Sequence, residues 1–224
     1  MTSASPHLKR LTNWVGFVVF AAWAVVTLSK MPAAGLMLAP TFLMELAVAI
    51  SFLIRDEPVA ATKSFRARFS AYAGSFMMVA FLELGRRFHA EWFEPQVNVL
   101  TPFAAFLWMA GSMWIVYSLW HLRRAFSIEP AARRLITSGP YSIARHPVYT
   151  GYFAQYVAML MIFPSLALAL VLLAWTAAML DRMYLEERVL SSAFGEYVEY
   201  KHRVGALGPV LFRRTPRPRP VASV

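Results

Sequence analysis

Residues 151–180 read GYFAQYVAMLMIFPSLALALVLLAWTAAML, a stretch without a single charge. As one helix it would be about 45 Å long, half as long again as the roughly 30 Å of hydrocarbon it would have to cross. Ile162-Phe163-Pro164-Ser165 interrupts it near the middle. Proline removes a backbone donor there and disfavours the helical region for Phe163. The stretch therefore reads as a hairpin of two shorter helices whose outer ends return to one side. One tilted and kinked helix is the alternative, and it would put the chain end on the opposite side.

Upstream, apolar runs cover 14–28, 36–54, 69–84 and 102–120. Each is long enough to span a bilayer with modest tilt or thinning. Of the 224 residues, 58% are apolar and 15% charged, with a mean hydropathy of +0.50, above the roughly 45–50% apolar content of soluble chains. The expected fold class is an all-α polytopic transmembrane bundle of five or six segments, with a carboxy-terminal hairpin and an interfacial helix. The first run follows Lys9 and Arg10, and 31–35 is a weak cleavage match, so it reads as an uncleaved anchor. Amino-terminal helices would occupy 1–100, a functional core 101–210 and a disordered basic tail 211–224. Phe194, Tyr197, Val198 and Lys201 recur at helical intervals and predict the interfacial segment.

The formal charge is +10, and 18 of the 22 cations are arginine. With six segments and the amino terminus inside, 19 cations fall on the inner side against Lys30, Arg86 and Arg87 outside. That asymmetry predicts both ends in the cytoplasm and an integral protein of the inner or plasma membrane, its cations facing anionic lipid rather than nucleic acid. Trp92 and Phe93 in the outer loop suit an interfacial aromatic belt. The absence of cysteine excludes disulfides, thiolate nucleophiles and iron–sulfur ligation, and none of the five histidines has HxxxH spacing, so no metal is expected. No GxGxxG, GxxxxGK[ST] or GxSxG motif occurs, which leaves a soluble nucleotide fold or hydrolase elbow unsupported. The sequence leaves oligomeric state open.

Two polar segments flank the hairpin. The first, 133–151, is RRLITSGPYSIARHPVYTG. Arg145 and His146 stand directly before Pro147, a favoured first residue of a helix. Cations at that end oppose the helix dipole, so their presence there suggests a ligand; with free backbone N–H groups they would hold a carboxylate or phosphate. Tyr149 falls on the same helical side, and Gly151 permits close approach of backbone or ligand. The second, 181–188, is DRMYLEER. Adjacent residues diverge by about 100° on a helix, so Glu186 and Glu187 cannot face one pocket as equals. Each segment alone also reads as boundary charge: a topology arginine with a capping histidine, and a salt-bridged helix end. A hairpin, however, brings both together, and cations opposite carboxylates suit a zwitterion such as the head of an amino-acid-like cofactor.

Gly139-x-Tyr141, Arg145-His146-Pro147-x-Tyr149-x-Gly151, the hairpin, Glu186-Glu187-x-x-Leu190 and Phe194-Gly195-x-x-Tyr197-x-x-Tyr200 together resemble the isoprenylcysteine carboxyl methyltransferase and phospholipid methyltransferase superfamily. The resemblance covers about 125–210. It implies S-adenosylmethionine as methyl donor, with Tyr141, His146, Tyr149, Gly151 and Glu187 as cofactor contacts and Arg145 and Glu186 as supporting or catalytic groups. The implied reaction is displacement at the sulfonium methyl by an oxygen, nitrogen or sulfur nucleophile. The acceptor would be a lipophilic or small membrane-partitioning molecule: an isoprenylcysteine carboxylate, a phospholipid amine or a thiol. Glu45 within the second run and His121 ending the fourth are ionisable groups at membrane depth that could meet it. Two rival readings remain. Sterol-reductase-like oxidoreductases using NADPH share this region but carry Asn where Val148 stands here. A non-catalytic membrane scaffold would leave the charges as boundary residues.

Overall fold

A computed structural model describes residues 6–34, 38–62 and 64–209. The tail expected to be disordered, 211–224, lies outside the described residues. The chain forms helices α1 (Pro6–Ala34), α2 (Ala39–Ile54), α3 (Phe65–Phe88), α4 (Thr101–Leu122), α5 (Pro147–Ile162), α6 (Leu166–Ala193) and α7 (Tyr197–Arg203). Two-residue strands β1 (Ala60–Ala61) and β2 (Ala131–Ala132) pair antiparallel. The segments Arg10–Met31, Thr101–Ala125 and Leu166–Ala193 are long and apolar enough to cross a membrane, and Ala39–Ile54 is a shorter apolar helix. The protein is an all-α integral membrane bundle.

Local sequence fixes the helix ends. Ser64 and Ser165 cap α3 and α6 by accepting hydrogen bonds from the amides of Ala67 (3.2 Å) and Leu168 (3.1 Å), each cap worth about 1 kcal/mol. Prolines open α2, α4 and α5, where their missing N–H costs nothing. The break at 163–165 separates α5 from α6, which fold back on each other: the Trp175 ring lies 4.9 Å from Phe153 and 4.6 Å from Tyr156. This is the hairpin rather than the single kinked helix. At its turn the Ile162 carbonyl accepts from the Gln96 amide, and Phe163 meets Phe93. Phe93 is therefore buried within the protein, not turned outward into an aromatic belt.

α1 packs along α2, α2 on α4, α4 on α5, and α3 on α6. The α3–α6 contact is built on Gly74, whose carbonyl accepts from the buried Trp175 indole at 2.8 Å while Met179 fills the space a side chain would take. Arg66 on α3 pairs with Asp181 on α6. At the α4–α5 crossing, Gly111 and Gly151 bring two backbones together. A Cβ at Gly151 would lie 2.4 Å from Ile115 Cγ1 and 2.8 Å from the Gly111 carbonyl oxygen. Gly151→Ala is thus expected to destabilise the bundle by about 1–3 kcal/mol through overpacking. A lowered melting midpoint in detergent would register this, whereas an unchanged midpoint would contradict the crossing.

Between α4 and α5 the chain forms a strap, 123–146, with no α-helix but with short 3-10 turns at Arg123–Ala125 and Gly139–Ser142. It begins at Arg123, whose φ of 44° ends α4. The strap is tied to the α2–α3 loop by the β pair, by Asp56 N–H to the Arg124 carbonyl (2.8 Å) and by Arg124 and Arg134 side chains on Asp56. α7 has Tyr197 and Tyr200 buried, packed with Val204 against Leu135 and Leu190. Its apolar face is thus Tyr197, Tyr200 and Val204, and Val198, expected on that face, is exposed.

Candidate active site

α6 runs unbroken through 166–193, about 42 Å. Glu186 and Glu187 consequently sit inside a continuous helix, more than a turn before its end at Ala193. Trp175, Met179, Arg182 and Glu186 recur every three or four residues and share one stripe, which Trp175 and Met179 fix against α3. Glu187 is rotated away, toward α7. The antiparallel hairpin brings this end of α6 to the start of α5, where Tyr149 Oη donates to Glu186 Oε1 at 2.6 Å. The His146 ring, which makes no side-chain cap bond to α5, lies parallel to Tyr149 at 5.3 Å.

The two carboxylates have different work. Glu187 is saturated: Oε1 takes Arg145 Nε (2.8 Å) and Nη2 (2.7 Å) and faces His146 Nε2 (3.3 Å), and Oε2 takes Lys201 Nζ (2.5 Å). Glu186 Oε1 is occupied by Tyr149 and by Arg182 Nε (2.9 Å), whereas Oε2 has His146 Nδ1 at 3.7 Å, beyond hydrogen-bond reach. Arg182 is only 5% exposed. It also donates to the Ser75 hydroxyl (2.9 Å) and the Ala71 carbonyl (3.3 Å), joining α3 to α6, and its guanidinium lies over the Tyr149 ring at 5.2 Å.

Arg145 ties the start of α5 to the following chain. Beyond Glu187, its Nη1 donates to the carbonyls of Lys201 (3.1 Å) and Val204. The amides of Arg145 and His146 donate to Gly205 (2.8 Å) and Ala206 (2.9 Å), and the Thr150 hydroxyl to Leu207 (2.9 Å). The expected free N–H groups before α5 are therefore taken by residues 205–206, which run parallel to 144–146. Tyr200 Oη donates to the Tyr141 carbonyl at 2.6 Å. Burial pushes the Tyr200 phenol up to about 12 and also raises Tyr141 and Tyr197, so all three are neutral donors near pH 7.

A cavity with about 1250 Å³ of space unfilled by atoms, part of it open to solvent, lies under the strap. Its polar end is formed by Tyr141, His146, Tyr149, Arg182, Glu186 and Tyr197; deeper between the helices Phe20, Val48, Leu119, Tyr156 and Met179 make it apolar. The Tyr197 hydroxyl is buried on this wall without a hydrogen-bond partner among the described residues. Of the residues singled out from sequence, Tyr141, Arg145, His146, Tyr149 and Glu186 reach the cavity. Glu187 and Gly151 are not on its wall: the first is turned to the cations, the second is needed at the α4–α5 crossing. Glu45 is also off the wall, buried one turn from Val48 beside Thr27, its Oε2 without a hydrogen-bond partner among the described residues. His121 instead packs over Gly139, whose φ of 60° makes the turn before Tyr141. Sequence reasoning missed Arg182 and Tyr197 as site residues. The signal for Arg182 was present in its four-residue spacing from Glu186.

Residues 100–197 match the family model described as phospholipid methyltransferase. Among curated relatives, the Cobalt-zinc-cadmium resistance protein CzcN of Cupriavidus metallidurans is 29% identical over 138 residues, 61% of this chain and 60% of that protein. Protein-S-isoprenylcysteine O-methyltransferase of Saccharomyces cerevisiae is 36% identical over 73 residues, 32% of this chain and 30% of that protein. The Nickel-cobalt-cadmium resistance protein NccN of Alcaligenes xylosoxydans xylosoxydans is 36% identical over 78 residues, 34% of this chain and 37% of that protein. The chain thus spans between 30% and 60% of the length of these relatives. The family model thus covers α4, the strap, the hairpin and the acidic doublet, and it is this region of the chain that is similar to phospholipid methyltransferases.

Proposed function

We propose that this chain transfers a methyl group from S-adenosylmethionine to a lipophilic acceptor at the membrane surface, with both termini in the cytoplasm of an inner or plasma membrane. The observation that carries the reading is the pair of uncommitted polar atoms at one end of the cavity: Glu186 Oε2 and the buried Tyr197 hydroxyl. A buried hydroxyl without a partner is costly, and an acceptor oxygen beside a donor suits a group bearing both ammonium and carboxylate. In that reading Glu186 holds the ammonium, Tyr197 donates to the carboxylate, and Tyr141 and Leu190 complete the wall. The donor, when bound, supplies an electrophilic sulfonium methyl.

The protein's part is alignment and exclusion of water. Arg182 and Tyr149 hold Glu186 Oε1 in a fixed orientation, leaving Oε2 aimed at the ligand. The Arg145–Glu187–Lys201 lock keeps α7, and with it Tyr197, against the mouth. The apolar depth accepts the hydrocarbon of a lipid acceptor: isoprenylcysteine, a phospholipid amine or an alkyl thiol. A carboxylate acceptor needs no base. For a thiol or ammonium, His146 on the cavity wall takes the proton, with Glu187 holding its far nitrogen.

Thermal unfolding in detergent tests the reading. S-adenosylhomocysteine is expected to raise the midpoint in a saturable way, by binding the folded state alone, and NADPH is expected to leave it unchanged. Stabilisation by NADPH alone would replace the methyltransferase reading with an oxidoreductase one.

A further inference from the structure

Phe65, Phe69, Tyr72 and Phe76 fall on one stripe of α3, at spacings of four, three and four residues. The first three are 82%, 62% and 47% exposed. The rings stack in pairs, Phe65 on Phe69 and Tyr72 on Phe76, each at 6.2 Å. The stripe ends where Phe76 meets Phe20 of α1, again at 6.2 Å. Phe20 is itself part of the cavity wall, and Tyr72 donates to Glu129, another wall residue, at 3.0 Å. α1 packs along α2 and α3 along α6, so rings rather than close-packed backbones bridge α1 to α3. On the far side of those rings is the apolar half of the cavity.

We infer that the Phe20–Phe76 contact is a lateral portal, and that the α3 aromatic stripe guides a long-chain lipophilic methyl acceptor from the bilayer through it into the cavity. The inference rests on the methyltransferase reading and adds the route and the residues that gate it. Hydrocarbon entering from the strap side would have to pass Arg134, Arg182 and Glu186, whereas the α1–α3 seam is closed by the Phe20 and Phe76 rings, with the Tyr72–Glu129 hydrogen bond and the Arg68–Glu129 pair to one side of it. No hydrogen bond joins the two rings, so a rotamer change of either is enough to part them. The stripe is continuous with the cavity, which identifies its occupant as the molecule the cavity accepts.

The chain contains no cysteine, so a pair introduced as Phe20→Cys and Phe76→Cys can be bridged selectively by a short, reducible bifunctional thiol reagent. The full chain in phosphatidylcholine vesicles would be exposed to an alkyl amine carrying a diazirine, and labelled cavity-wall residues read by mass spectrometry. Bridging is expected to cut labelling of Leu119, Tyr152 and Tyr156 roughly tenfold by closing the gate, reduction to restore it, and single-cysteine controls to stay labelled. Throughout, stabilisation by S-adenosylhomocysteine is expected to persist. Undiminished labelling of the fully bridged protein would overturn the portal. Loss of the S-adenosylhomocysteine response in every form would instead overturn the functional reading, with labelling still deciding the portal. Phe76→Ala, a residue off the cavity wall, supplies a second check: labelling should quicken severalfold, and an unchanged rate would contradict gating at this contact.

Discussion

Arg182→Met is expected to destabilise the protein by about 3–5 kcal/mol, the scale for removing one partner of a buried ion pair, and to abolish binding of S-adenosylhomocysteine. The guanidinium is held on α3 by Ser75 and the Ala71 carbonyl, and on α6 by Glu186, with Tyr149 stacked beneath it. Methionine fills much of the volume but leaves the half-buried Glu186 carboxylate with the Tyr149 hydroxyl as its one hydrogen-bond donor and His146 Nδ1 at 3.7 Å. Freed of Arg182, the Glu186 carboxylate can turn, and the oxygen offered to a ligand changes. Lysine would be a poor replacement because its single ammonium cannot span Glu186, Ser75 and a carbonyl together. The measurement is thermal unfolding in detergent with and without ligand. A midpoint within one or two degrees of the unmodified protein would contradict the role given to Arg182.

Glu187→Ala is expected to have the second largest effect, read at a different place. It leaves Arg145 and Lys201 without their shared carboxylate and His146 without the partner of its Nε2. The hold of residues 201–207 on 144–150 then depends on the backbone pairing, the Thr150 hydroxyl and the Arg145 bonds to the Lys201 and Val204 carbonyls, without the carboxylate that fixes Arg145 and Lys201. Since Lys201 and Arg203 lie in α7, trypsin reports on that loosening directly. Cleavage there should accelerate by roughly tenfold or more, as the locally opened state becomes more populated. Binding of S-adenosylhomocysteine should weaken in parallel because Tyr197 moves with α7. Glu187→Gln should fall between, keeping neutral acceptance from one cation. Cleavage unchanged in the alanine variant would show that the carboxylate is not the lock.

The contrast between neighbouring glutamates shows what the chain disclosed before its coordinates. Apolar runs and Pro164 announced the helices and the hairpin because membrane burial is written into hydropathy and a proline break into local sterics. The meeting of His146 and Tyr149 with the acidic doublet followed from the hairpin alone. Which glutamate faces the cavity did not. That depends on how α6 is rotated, and the rotation is set by Trp175 and Met179 seated on Gly74, more than 100 positions upstream. Arg145 was equally opaque, since its partners are carbonyls of residues 201 and 204, and backbone pairing across a short strap leaves no periodic signature. The glycine at 151 could serve a ligand or a helix crossing, and only the proximity of Gly111 decides for the crossing. His121 and Glu45 drew notice as ionisable groups at membrane depth, yet it is their helix neighbours Leu119, Leu122 and Val48 that line the cavity.

The central claim is that Glu186 and Tyr197 together receive the zwitterionic head of the methyl donor. Isothermal titration of S-adenosylhomocysteine into the Tyr197→Phe variant tests it most directly, because the hydroxyl removed has no hydrogen-bond partner among the described residues. The free variant should be as stable as the unmodified chain or slightly more so, while affinity for the ligand falls by roughly tenfold, the weight of one hydrogen bond to a charged group. Unaltered affinity with unaltered stability would mean that the hydroxyl meets no ligand, and the proposed orientation of the donor would be wrong.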